Sequence, residues 1–201
     1  MNLLILGAGG FAREVTDLAE GWDVVGYAVD VSGQPTELLG RPVWQLENAR
    51  ALASMCQVVA AIVSPARWKI IKSARDMGFG FARIVHPSAS VSRTVKFFGH
   101  GQIVNRNVAV GRDAIVSAHV ILNRGCTVGH DCYLGIGATI GPGAHLAGNA
   151  RVFEWATVGM GACVLEGRTI GERAVVGAGS VVTRDVPAGE TWWGAPAKKM
   201  R

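Results

Sequence analysis

The sequence predicts a small α/β unit with a parallel sheet, followed by a triangular β-solenoid. Three observations predict it. A short aliphatic run at residues 3–6 leads into the glycine turn Gly7-Ala8-Gly9-Gly10 and then a helical stretch. From Val104 onward an aliphatic residue recurs every six positions without a break. Glycine makes up 27 of 201 residues in a chain that is 49% hydrophobic but only 7% aromatic and 17% charged. That composition is too apolar for a disordered chain. It also lacks the Gly-X-Y period of collagen.

The first unit is read in chain order. Residues 3–6 (LLIL) form a buried strand, and residues 11–20 a helix. Residues 23–29 (DVVGYAV) form a second strand that ends at Asp30. Gly7, Gly9 and Ala12 fit the G-x-G-x-x-G/A pattern between a strand and a helix, with an acidic residue about twenty positions further on. Such a turn offers backbone N–H groups at a helix N-terminus to a phosphate. A third strand is expected at 58–63, then a helix over 66–77 opened by Ser64-Pro65, where proline is tolerated, and a fourth strand at 81–85. This Rossmann-like βαβ unit is half a dinucleotide fold. It has room for one nucleotide, which disfavours an NAD oxidoreductase. The boundary near His86-Pro87 gives units 1–85 and 86–201.

The second unit carries fourteen anchors in register: Val104, Val110, Val116, Leu122, Val128, Leu134, Ile140, Leu146, Val152, Val158, Val164, Ile170, Val176 and Val182. A period of six is neither a helix face nor a simple alternating strand. Ten of the residues two places before an anchor are Ala, Cys or Ser, which suits a narrow interior. Seven anchors are followed by Gly and two by Asn, residues expected at corners because they tolerate unusual backbone angles. Three hexads make one 18-residue coil. Cys126 and Cys132 fall in the small inward slots and Cys163 beside an anchor, so these cysteines read as structural.

Several classes are excluded or disfavoured. The net charge is +5, but residues 1–85 hold eight basic and eight acidic residues, and residues 102–185 seven and six. The surplus sits at Arg93, Lys96 and the last residues, where Lys198, Lys199 and Arg201 read as a solvated end. No basic run interleaved with aromatics appears, which disfavours nucleic-acid binding. No CxxC pair occurs, so no metal site is expected. No apolar stretch is long enough for a membrane span. The start, MNLLILGAGG, has no signal-peptide features, and the protein reads as cytoplasmic.

One polar pair breaks the repeat at a corner, His130-Asp131 in the run Val128-Gly129-His130-Asp131-Cys132. A neutral imidazole takes up a proton near pH 7, and a neighbouring carboxylate orients it. An ordinary exposed His beside an ordinary Asp is the alternative. His145 directly precedes an inward anchor and is expected to point outward. The segment Phe153-Glu154-Trp155 puts bulky groups where a corner glycine is usual. It either packs at a subunit interface, caps a ligand groove or covers the surface.

A GAGG-type turn, a hexapeptide solenoid, a GHDC corner and a closing Gly194-Ala195-Pro196-Ala197-Lys198 together resemble the NeuD/PglD-type bacterial sugar acyltransferases. The resemblance spans essentially the whole chain. It implies a left-handed parallel β-helix, a homotrimer, and acetyl-CoA as co-substrate in the groove between adjacent solenoids. It implies acetylation of a sugar, foremost the amino group of a nucleotide-linked amino sugar, in bacterial surface polysaccharide or glycan biosynthesis. O-acetylation of a free sugar such as sialic acid and a non-catalytic trimeric sugar-binding scaffold are the alternatives. By position, His130 matches the general base and Asp131 its partner. Gly9, Gly10, Phe11, Asp30, Ser64 and Arg67 match the substrate side, although Arg67 also reads as a solvated helix cation. Thr139, Gly148, Met160 and Ala178 match the acetyl-CoA side. Thr139 stands where many relatives have a second His; it keeps a hydrogen-bonding group but cannot serve as a base.

Overall fold

The computed structural model describes residues 1–200, in two compact units, Met1–Ile84 and one from Val85 onward. In the first unit the strands are β1 (Asn2–Leu6), β2 (Asp23–Val29), β3 (Glu37–Leu38), β4 (Arg41–Gln45), β5 (Cys56–Ala60) and β6 (Gly80–Phe81). They form one sheet in the order β3-β4-β2-β1-β5-β6, parallel except where β3 runs against β4. β1 lies at the centre, and Leu3, Leu4, Ile5 and Leu6 are fully buried. A strand covered on both faces reads as a continuous aliphatic run, which is why this element was legible.

Helix α1 (Gly10–Leu18) buries Ala12, Val15 and Leu18, spaced three apart on one face. It ends two residues earlier than the pattern predicts, with Gly21 in the left-handed region just beyond. Helix α2 (Trp68–Asp76) buries Ile70, Ile71 and Ala74. The turn ahead of it, Pro65–Arg67, is a 3-10 helix capped by the Ser64 hydroxyl, which accepts from Ala66 N at 3.2 Å. The third strand begins at Cys56 and ends at Ala60, freeing residues 61–63 from the sheet. The expected strand at 81–85 splits into β6 and Ile84–Val85. Both β3–β4 and a 3-10 helix over Leu46–Leu52 escaped the sequence pattern. Pro42 argues against a strand, and β4 accommodates it because its pairing with β2 starts only at Val43.

The chain steps from β1 to β2 on one side and later to β5 on the other. That reversal of strand order leaves a crevice beyond the carboxyl ends of β1 and β5, the usual ligand position in open α/β sheets. The glycine turn sits there.

In the second unit, fourteen two-residue strands run from Ile103–Val104 to Val181–Val182, and each ends on an anchor. Every anchor is at most 3% exposed. The ten small residues two places earlier are at most 1% exposed, so both inward positions hold as read. Strands 18 residues apart pair in parallel, as in Ile103↔Ile121 and Thr127↔His145. This is a left-handed parallel β-helix. Its three faces are sheet I (with Ile121–Leu122, Thr139–Ile140 and Thr157–Val158), sheet II (with Thr127–Val128, His145–Leu146 and Cys163–Val164) and sheet III (with Tyr133–Leu134 and Arg151–Val152).

The glycines that follow anchors need a different explanation from the expected one. Gly111, Gly129, Gly135, Gly141 and Gly159 do not have left-handed backbones. A Cβ on any of them would meet backbone atoms of the next coil at 2.6–2.8 Å. They are required by close approach between coils. The left-handed backbone lies two residues later and recurs every six: Asn107, Asp113, His119, Gly125, Asp131, Gly137, Gly143, Asn149, Trp155, Gly161, Gly167, Arg173 and Gly179 all have φ between 54° and 68°. This second register was not read from the sequence, because side chains as different as Gly, Asp and Trp occupy it. Where Asn105 and Asn123 follow anchors, Asn105 Nδ2 donates to Asn123 Oδ1 at 3.2 Å, and each Oδ1 accepts the next backbone N–H.

Candidate active site

His130 lies on the prism edge between sheets II and III, one residue past Gly129. The corner backbone is fixed by neighbouring coils: Asp131 N donates to Arg112 O and Asn149 N to His130 O, both at 2.9 Å. Asp131 occupies the left-handed position of its hexad, φ 57°, a conformation that Asp tolerates better than most residues. The result turns its carboxylate back onto its neighbour. Asp131 Oδ2 stands 2.8 Å from His130 Nδ1, with both side chains more than half exposed. A proton on Nδ1 satisfies that contact and leaves the Nε2 lone pair free to accept another. One coil on, Gly148 forms the floor beneath the ring: a Cβ there would stand 2.5 Å from Nε2. Pairing and floor together hold the imidazole in one pose on an open edge.

Met160 and Ala178 follow the sheet I strands and stand on a different edge, between sheets I and II, both exposed. Thr139 lies on the sheet I face, 1% exposed, and its hydroxyl has no hydrogen-bond partner among the described residues. So His130, Asp131 and Gly148 come together within one chain, whereas Met160 and Ala178 do not join them. His145 is exposed as expected, its Nδ1 2.9 Å from Thr127 Oγ1. Trp155 holds a left-handed φ of 58°, and its ring occupies the space a side chain on Gly137 would need. Tyr133 packs against Phe153 in a tilted arrangement, with ring centroids 5.7 Å apart, and donates to Glu154 at 3.3 Å, so this bulky segment is a packed cluster on the third edge.

In the first unit the crevice is a cavity of about 390 Å³. Gly9, Gly10, Phe11 and Asp30 line it, together with Val31 and Gln34, which sequence reading did not name. Ser64 and Arg67 are not in its wall. Ser64 caps the 3-10 turn. Arg67 corrects the reading of a solvated cation: it is 2% exposed, its guanidinium donates to Val63 O at 3.1 Å, and burial lowers its pKa to about 10. Burial likewise pushes the Cys126 thiol up to about 12, which suits the structural role expected of it.

Among the described residues no helix is long and apolar enough to cross a membrane. None of their His, Cys, Asp and Glu side chains gather in a group of three or more that could hold a metal ion.

No family model and no curated protein sequence matches the chain. Solved structures do. PerB from Caulobacter crescentus, in complex with CoA and GDP-perosamine, is 35% identical, with a TM-score of 0.93 over 100% of this chain and 98% of that one. The acetyltransferase domain of PglB from Neisseria gonorrhoeae FA1090, in complex with acetyl coenzyme A, is 31% identical, with a TM-score of 0.90 over 99% and 98%. WeeI from Acinetobacter baumannii AYE is 26% identical, with a TM-score of 0.88 over the whole of both chains. At this identity and coverage the likeness extends beyond the fold, and the chain belongs to the NeuD/PglD-type family of sugar acetyltransferases.

Proposed function

We propose that this protein transfers the acetyl group of acetyl-CoA to the amino group of a nucleotide-linked amino sugar, with His130 as general base. The observation that carries this reading is the exposed His130–Asp131 pair at 2.8 Å, with Nε2 directed over Gly148. The GDP-perosamine and CoA held by PerB support the substrate class. Nucleotide-sugar binding falls to the first unit, through the Gly9-Gly10 turn and Asp30, and acyl transfer to the solenoid. In the reaction Nε2 removes a proton from the acceptor amine as its nitrogen attacks the thioester carbonyl. The new C–N bond forms, the C–S bond breaks, and CoA leaves as its thiol. Direct attack needs no enzyme nucleophile, and holding both substrates in place supplies much of the rate.

Separate prism edges for the base and for Met160 and Ala178 support a homotrimer. Sheet II lies between the two edges, so one thioester cannot touch both edges of one prism. A neighbouring copy that lays its sheet I–II edge against the sheet II–III edge of the first closes a groove containing both. A mixture of His130→Ala and Ala178→Trp chains, each inactive alone, then regains part of the activity on co-refolding. Acetyl-CoA as donor makes a cytoplasmic setting the expected one.

The acceptor is tested by incubating the enzyme with acetyl-CoA and GDP-, UDP- or dTDP-linked amino sugars while following free thiol release. Turnover with one nucleotide class supports the reading. Turnover only with a free sugar such as sialic acid, with no nucleotide binding, replaces it with O-acetylation.

A further inference from the structure

The outward row of sheet II differs in chemistry from that of sheet III. It consists of Ser90, Ala109, Thr127, His145, Cys163 and Val181, each one place before an inward aliphatic residue. None of the six is a Lys, Arg, Asp or Glu, whereas sheet III turns Lys96 and Arg151 outward. A face without such charges suits the inside of an assembly, and a face that carries them suits solvent.

His145 is the one imidazole on that row. It is exposed, and its Nδ1 stands 2.9 Å from Thr127 Oγ1, one coil back. Its Nε2 has no hydrogen-bond partner among the described residues. With the proton on Nδ1 the hydroxyl accepts, and the Nε2 lone pair is left to bind. An imidazole oriented through one nitrogen and open at the other is the arrangement of a metal ligand. Within one chain it stands alone, since no group of three or more His, Cys, Asp and Glu forms among the described residues.

The homotrimer supported above supplies the missing ligands. There each prism touches its two neighbours along the two edges that bound sheet II. Closing that ring about a threefold axis turns the three sheet II faces inward, as the walls of a triangular channel. A side of six residues at about 3.3 Å each is at most about 20 Å long, so the middle of each wall stands about 5–6 Å from the axis. His145 lies midway between the corners at Pro142 and Gly148. An imidazole reaches about 4–5 Å from Cα to Nε2 at ordinary bond lengths. A zinc–nitrogen bond adds about 2 Å. The sum slightly exceeds the distance to the axis, so a ring inclined along the channel, as its contact with Thr127 inclines it, brings three Nε2 atoms to one point. The shorter Cys163 side chain, one coil on, leaves the channel open to small solutes.

We propose that three His145 side chains, one from each copy, bind a single Zn²⁺ or similar imidazole-preferring divalent ion on the threefold axis, with water as the fourth ligand. The proposal rests on the homotrimer reading. The ion ties the copies together and takes no part in acetyl transfer, so its binding stabilises the assembly by mass action.

The test uses the full-length protein, stripped with EDTA and dialysed, in sedimentation velocity and in titration calorimetry with zinc chloride. The expected result is a trimer that takes up one Zn²⁺ per three chains and melts at a higher temperature once loaded. Co²⁺ in its place gives the intense visible bands of a four-coordinate ion. His145→Ala and His145→Gln lose this uptake and keep the acetyl-transfer rate. Thr127→Val weakens zinc binding about tenfold, as expected for a lost orienting contact. A trimer that takes up no zinc, or one ion per chain that persists in both His145 variants, overturns the site. Protein that stays monomeric or dimeric with and without zinc overturns the trimer reading on which it rests.

Discussion

Glycine does different work in the two units, and the difference separates folding from function. In the solenoid, Gly141 is locked in by its neighbours: a Cβ would meet Met160 N at 2.7 Å and Gly159 C at 2.8 Å. In the α/β unit, the first glycine of the turn is equally constrained, because Gly7 has φ 111° and a Cβ there would meet Ile62 at 2.9 Å. Gly9 is not. Its backbone is extended, φ −89°, and a Cβ would have nothing within 4 Å. Gly10 meets only the tip of Arg13, at 3.8 Å. The fold does not require glycine at positions 9 and 10, and both line the cavity. Their lack of side chains fits the nucleotide-sugar binding proposed for this turn.

That contrast is open to direct attack. The largest stability effect is expected for Gly141→Ala, where backbone must move. Overpacking of this kind costs up to about 3 kcal/mol, lowering the thermal midpoint by roughly 6–12 °C in calorimetry. Two residues away, Gly143→Ala meets open space but sits at φ 62°, so only about 1–2 kcal/mol of left-handed strain applies, and Gly143→Asn costs less. Equal losses at 141 and 143 would show that coil-to-coil approach is not what fixes the first. Gly9→Ala leaves the midpoint within about 1–2 °C, yet raises the KM for the nucleotide-sugar about tenfold through one lost phosphate contact. A large fall in its midpoint with an unchanged KM would reverse the argument.

The smallest effect concerns Cys126. Its folded pKa of about 12 lies above that of an unfolded thiol, near 8.5. The stability linked to this group is therefore present below about pH 8.5 and lost as pH rises toward 12. Iodoacetamide at pH 8 is expected to modify the half-exposed Cys163 and spare Cys126, as read by peptide mass.

Much of the solenoid was legible because its register fixes both edge and height for every residue. Naming Val128 as an anchor already places His130 on a corner and Gly148 at the same corner one coil further along the chain. The left-handed register went unread because backbone angles leave a weak trace where Trp155 and Asp131 share a slot with glycine. The α/β unit has no such period. Its central strand announced itself through four buried aliphatics, but β4 hid behind Pro42, and Arg67 gave no sign that its charged group would be buried. The same register puts Met160 and Ala178 on another edge from the base, because neither lies a whole number of 18-residue coils from His130, a consequence the sequence reading left undrawn. The assignment of strands to three sheets agrees with that placement.

The central claim is that His130, oriented by Asp131, is the base for acetyl transfer. It is tested by single-turnover and steady-state rates of His130→Ala with acetyl-CoA and the accepted nucleotide amino sugar, alongside circular dichroism to confirm an intact fold. The account predicts a kcat lower by about 10²–10⁴-fold, with little change in the KM of either substrate. A folded variant that turns over at the wild-type rate would contradict it.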